Sequence, residues 1–198
     1  MISVLSRFAA YFRSGAFVTA AACCAVSMTM FVPAASAQSV LSAPTPSGPL
    51  NSMAAAVNNV GIKQCRSQLT SLSTLGVQGT ASNDLLLDWD HKRVNSSPVF
   101  SLIGLDYGSN SAAMSITAVP EADGSCSVLA ERISAAPVAC KTIASQELHG
   151  YRATPLLNQM TVYTDGKDPG SSVSLIDSPP GCLVIRRYVA FSKAASAH

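Results

Sequence analysis

Charge is the scarcest ingredient of this chain. Asp, Glu, Lys and Arg make up 12% of it, about half of the roughly 25% usual in soluble domains. No block of like charges occurs anywhere. A chain without a basic stripe lacks the electrostatic footprint that drives nucleic-acid binding, so no nucleic-acid partner is expected. Histidine is scarce too. His91, His149 and His198 are the three present, and none stands with the cysteines in the paired spacing of a zinc site. The chain also lacks a Cys-x-x-Cys pair, a Gly-x-Ser-x-Gly elbow and a glycine-rich phosphate loop. Those absences remove the sequence support for thiol exchange, serine hydrolysis of the elbow type and nucleotide binding. No cofactor and no metal are expected.

What is present begins at the N-terminus. Arg7 and Arg13 lie in a segment without an acidic residue, an uncharged run extends from Gly15 to Val32, and Ala35-Ser36-Ala37 follows Pro33. Basic start, apolar middle and small-residue exit form a secretory signal peptide over residues 1–37, with cleavage after Ala37. Two other readings fit less well. A retained anchor needs about 20 strongly apolar residues, and this run is rich in alanine and holds Thr19, Ser27 and Thr29. Lipidation at Cys23 would follow Ala20-Ala21-Ala22, without the usual leucine, and the sequence after Cys23 stays apolar. The expected location is therefore the periplasm or the extracellular space, with membrane contact only through the export signal. The precursor carries a net charge of +2, and that surplus is Arg7 and Arg13. The mature chain is neutral.

Cys65, Cys126, Cys140 and Cys182 remain after cleavage. An even number of cysteines in an exported chain implies disulfides. Of the three possible pairings, the expected one joins Cys126 to Cys140 and Cys65 to Cys182.

Residues 38–50 hold three prolines and a glycine and read as a flexible linker. Residues 51–191 are expected to form a single α+β domain, and residues 192–198 a disordered tail. A helix is predicted from Ser52 to Ser73, with Gly61 as a blemish. Strands are predicted around Leu85–Trp89, Val99–Tyr107, Met114–Val119 and Cys126–Ile133, separated by short turns. The second of these is apolar on both faces and reads as central. Pro137 opens a second helix ending near Gly150. Strands follow over Gln159–Thr164, Ser172–Asp177 and Cys182–Phe191. The sum is an antiparallel sheet of about seven strands in two meanders, with two helices on one face and two disulfides. No internal repeat is visible.

Few residues stand out as chemistry. Asp88-Trp89-Asp90-His91 offers two carboxylates and an imidazole, yet on a strand His91 points away from the two carboxylates. A solvated strand end with one buried Trp explains it better, so no catalytic residue is assigned. His149 beside Gly150 suits a helix end. Arg186 and Arg187 are sent to opposite faces by strand alternation, where one can meet a carboxylate such as Glu131. Asn95-Ser96-Ser97 satisfies the glycosylation rule and is assigned no role. The remaining lead is contact surface: Tyr107, Tyr163, Tyr188 and Arg187 are candidate contact residues, being of the types enriched at hot spots. The expectation is an exported, non-enzymatic binding or accessory protein acting on another envelope or extracellular protein. The alternatives are a carrier of a small apolar ligand and a small secreted hydrolase using His91.

Overall fold

The computed structural model describes residues 51–192. The signal-like segment, the linker up to Leu50 and the tail from Lys193 lie outside the described residues. The elements run α1 (Ser52–Val60), α2 (Arg66–Gly76), β1 (Ser82–Asp88), β2 (Val99–Asp106), β3 (Ser111–Pro120), β4 (Cys126–Ala136), α3 (Cys140–Glu147), β5 (Arg152–Leu157), β6 (Met160–Thr164), β7 (Ser171–Ser178) and β8 (Gly181–Ala190). The fold is α+β, as expected. All eight strands pair antiparallel in one sheet of order β1-β2-β3-β4-β8-β7-β6-β5.

The sequence reading placed one helix over residues 52–73, and the structure divides it in two. Asn51 caps α1 by accepting the Ala54 N–H at 3.3 Å, the role its short side chain suits best. Gly61 ends α1 in the left-handed region, at φ +82°, which costs glycine no steric penalty. The break turns Ile62 fully into the core. It also exposes the N–H groups of Lys63 and Gln64, and Asn95 Oδ1 accepts both, at 2.6 and 3.3 Å.

The eighth strand is β5, which the sequence does not announce. Its residues Arg152–Leu157 are exposed throughout, so no buried face imposes an alternation. It contains Pro155 and a register shift, features confined to sheet edges.

Helices and apolar strand positions meet on one face of the sheet. Met53 and Val57 of α1 and Leu69 and Leu72 of α2 pack on Ile103, Met114 and their neighbours. Ile143 of α3 packs on Val173, Leu175 and Val184. Both clusters lie on the same face, because Ala130 pairs with Tyr188 and Ser134 with Val184 across the β4–β8 ladder. Gly76 lets α2 lie close to β3: a Cβ there would overlap Met114 Sδ.

The two halves share a plan that the sequence reading missed. Each has a helix followed by a four-strand meander, and the fourth strands, β4 and β8, lie side by side at the centre. Each has a disulfide from the start of its helix to the start of its fourth strand. Sequence traces of this are thin: Cys126-Ser127-Val128-Leu129 beside Cys182-Leu183-Val184-Ile185, and Cys65-Arg66-Ser67 beside Cys140-Lys141-Thr142. Unequal spacing between those cysteines hides the repeat.

The same plan corrects the disulfide pairing. Cys65 bonds Cys126, and Cys140 bonds Cys182, with Cα–Cα distances of 5.4 and 5.0 Å. The expected Cys126–Cys140 bond is geometrically closed. Cys126 opens the 11-residue strand β4 and Cys140 follows its far end, so the two stand about 30 Å or more apart at roughly 3.3 Å per residue. Cys182 pairs with Ala136 at that far end, which brings it to Cys140 instead.

Candidate functional site

Asp88 ends β1, and the chain turns over Asp90–Arg93. Asp90 accepts the N–H groups of Lys92 at 2.8 Å and Arg93 at 3.2 Å, and its Oδ2 takes Arg93 Nε at 2.9 Å. The Lys92 N–H, then the Arg93 side chain, hold the Asp90 carboxyl below its ordinary range. Trp89 and His91 stack at 4.6 Å between ring centroids. Asp90 thus organises backbone, and His91 lies on its neighbour's ring. Among the described residues no group of three His, Cys, Asp or Glu side chains is placed to hold a metal ion. His149 is exposed just past α3.

The three candidate tyrosines sit on the helix side of the sheet. Tyr107 packs against the core under α1 and α2, Tyr163 against the cluster under α3, and Tyr188 beside the first of these. Near the β4–β8 seam, Tyr107 and Tyr188 stand among polar groups. Arg132 Nη2 donates to the Tyr107 hydroxyl at 3.2 Å, with its guanidinium 5.4 Å from the ring centre. Arg186, directly opposite Arg132 in the ladder, pairs with Glu147 of α3. Burial, then the Asp168 carboxylate, push the Tyr188 phenol above its usual range. Buried Asp168 accepts the Ser171 hydroxyl at 2.8 Å. Each buried arginine thus finds its partner within its own half, Arg132 on Tyr107 and Arg186 on Glu147, as buried charges persist only when paired.

Arg187 faces the other way. It stands on the opposite face, half exposed, with Nε 3.6 Å from Glu131 Oε1, the partner its sequence position suggested. Among the described residues, that face carries no helix. It is also apolar. Leu86, Phe100 and Leu102 are 61%, 51% and 46% exposed, and the register puts Leu86 beside Leu102 and Phe100 beside Asp88. Ile133 and Ile185 continue the surface as a cross-strand pair at the centre. The only opposite charges there within one ladder step are Glu131 and Arg187.

Alternation puts Leu86 on the polar side of its strand with Asp84 and Asp88, whereas Phe100 and Leu102 fall in a strand that the sequence predicts as central. The apolar residues on both sides of β2 implied a strand buried on both faces, and the structure leaves one of those faces open. The signal that distinguishes the cases is the shortage of helix. Three helices of 9, 11 and 8 residues reach about 12–17 Å each at 1.5 Å per residue and cover one face of an eight-stranded sheet, not two. Compared with protein-family models, curated proteins and solved structures, the chain matches none.

Proposed function

We propose that this chain is an exported, non-enzymatic binding or accessory protein whose working surface is the open face of the sheet. The observation that carries this reading is the contiguous exposure of Leu86, Phe100 and Leu102 opposite the helices. Monomeric proteins rarely leave large contiguous apolar patches in water, and those that do use them for contact. Of the four candidate contact residues, Arg187 belongs to this surface, while Tyr107, Tyr163 and Tyr188 support it from behind. The signal pattern of residues 1–37 supports export to the periplasm or the extracellular space, with cleavage after Ala37. Two disulfides accord with an oxidising compartment, and among the described residues no helix is long and apolar enough to cross a membrane. Of the polar side chains in this stretch, Asp90 is taken up by its own turn and the Arg93 side chain.

A photo-reactive amino acid placed at Leu102 in cells that export the protein tests this. The expected result is one discrete adduct after illumination, and none from the same probe at exposed Ser67 on α2. Equal, diffuse labelling from both positions contradicts the proposal.

A further inference from the structure

We infer that the occupant of the open face is a second copy of this chain, in a face-to-face dimer with its two-fold axis along the β4–β8 seam. The inference rests on the reading of that face as a contact surface, and names the partner. Three observations carry it.

Size is the first. Eight strands at about 4.8 Å make a face about 38 Å wide, and seven or eight residues per strand at about 3.3 Å make it about 25 Å long. The face therefore offers roughly 900 Å², close to the ~800 Å² per partner of a stable interface. Two such faces stack at about 10 Å, the usual sheet-on-sheet distance.

Charge is the second. The open face is divided by sign. Its β1–β4 side holds Asp84, Asp88, Asp106 and Glu131, on exposed or half-buried positions with no cation among them. Its β5–β8 side holds Arg152 and Arg187, with no anion among the open-face positions. A divided surface of this kind is complementary to itself after a half-turn. Like charges facing one another would oppose any other stacking of two copies.

Symmetry is the third. The sheet order reads the same from both edges once β1–β4 are exchanged for β5–β8. A half-turn about an axis parallel to the strands, midway between β4 and β8, lays β4 over the second copy's β8 and β1 over its β5. Glu131 and Arg187 are direct ladder partners, so that rotation places each over its opposite in the second copy. Four charges then close a ring at the centre of the interface, with Ile133 and Ile185 beside it. Every contact occurs twice, as a two-fold interface requires.

The experiment uses the mature exported protein and sedimentation equilibrium from 1 to 100 μM (about the range in which ~800 Å² interfaces associate), with circular dichroism to confirm folding. The wild type is expected to be a dimer. Leu102→Lys, which sets a cation on the half that faces the second copy's Arg152, is expected to be a folded monomer. Glu131→Arg and Arg187→Glu each place like charges face to face, and each alone is expected to weaken association at least ten-fold. An equimolar mixture of those two variants restores opposite charges across the interface and is expected to form heterodimers near wild-type affinity. A monomeric wild type, a dimer indifferent to Leu102→Lys, or a mixture that stays monomeric overturns the inference. If the chain is monomeric but the Leu102 probe traps a different exported protein in cells, the partner is wrong and the contact surface stands. If it traps nothing, both fail.

Discussion

Gly76 shows how much one hydrogen atom decides. It is buried at the end of α2, where any Cβ meets the sulfur of fully buried Met114. Gly76→Ala forces that side chain or the helix to move, and overpacking of this kind costs about 1–3 kcal/mol. Urea unfolding is expected to show the loss, and the double variant Gly76→Ala, Met114→Ala is expected to recover part of it. Gly181 is the sharper case, since a Cβ there would overlap the backbone oxygen of Ala136, which has no side-chain torsion to relieve it. Titratable residues give a second prediction. Asp90 is held below its ordinary range by the Lys92 N–H and Arg93, and Asp123 by the Ser125 hydroxyl and N–H. A depressed carboxyl stabilises the fold above its unfolded pKa and loses that contribution as pH falls through the folded value. Stability is therefore expected to decline on acidification below about 3.8, the unfolded value for both groups. Tyr188 has the opposite sign: its raised phenol contributes below pH 10 and is lost as pH rises beyond it. A pH series of urea midpoints, with Asp90→Asn and Tyr188→Phe as controls, reads both limbs.

At the scale of elements, the disulfides divide the labour between halves. Cys65–Cys126 closes a separation of 61 residues and Cys140–Cys182 one of 42. Loop-closure entropy assigns each about 4 kcal/mol at most. Replacing either pair by alanine is expected to lower stability by 2–4 kcal/mol, and the Cys140/Cys182 loss is expected to loosen α3 and β7 more than α1. Hydrogen exchange resolved by segment checks the asymmetry. Elements were legible in the sequence wherever one face is buried. The alternation of Leu85 and Leu87, and of Met114 and Ile116, is the core contact itself, so β1 and β3 could be read directly. β5 has no buried face and left no pattern. The split between α1 and α2 depends on Gly61 adopting φ +82° and on Asn95, more than thirty residues away, accepting the freed N–H groups. Local propensity records neither. The disulfide pairing depended on which end of β4 each helix starts over, a property of the sheet order alone.

For the whole molecule, the consequence of an α+β layer pair is that the sheet has two faces and the helices cover one. The sequence shows apolar residues on both sides of β2, and burial explains Val99, Ile103 and Leu105. It does not explain Phe100 and Leu102, whose side chains remain in water in the isolated chain. Removing such a surface from water is worth about 25 cal/mol per Å² of apolar area, a drive that solvation alone leaves unmet. A formal net charge of only +2 and few charged side chains do little to hold copies apart. Phe100→Ser and Leu102→Ser are therefore expected to leave the unfolding midpoint within about 0.5 kcal/mol, as surface changes do, while making the protein more soluble at high concentration. An equal solubility for variant and wild type would mean that the face is not a contact surface.

The most direct measurement is side-chain footprinting of the protein in the cells that make it, comparing Phe100 with Phe191. In the isolated chain the two are 51% and 82% exposed, which fixes the labelling ratio for an uncovered face. The account expects Phe100 to label several-fold below that ratio, with Leu86 and Leu102 protected alongside it. Labelling of all three in proportion to their exposure in the isolated chain would show the face bare where the protein works, and would contradict the account.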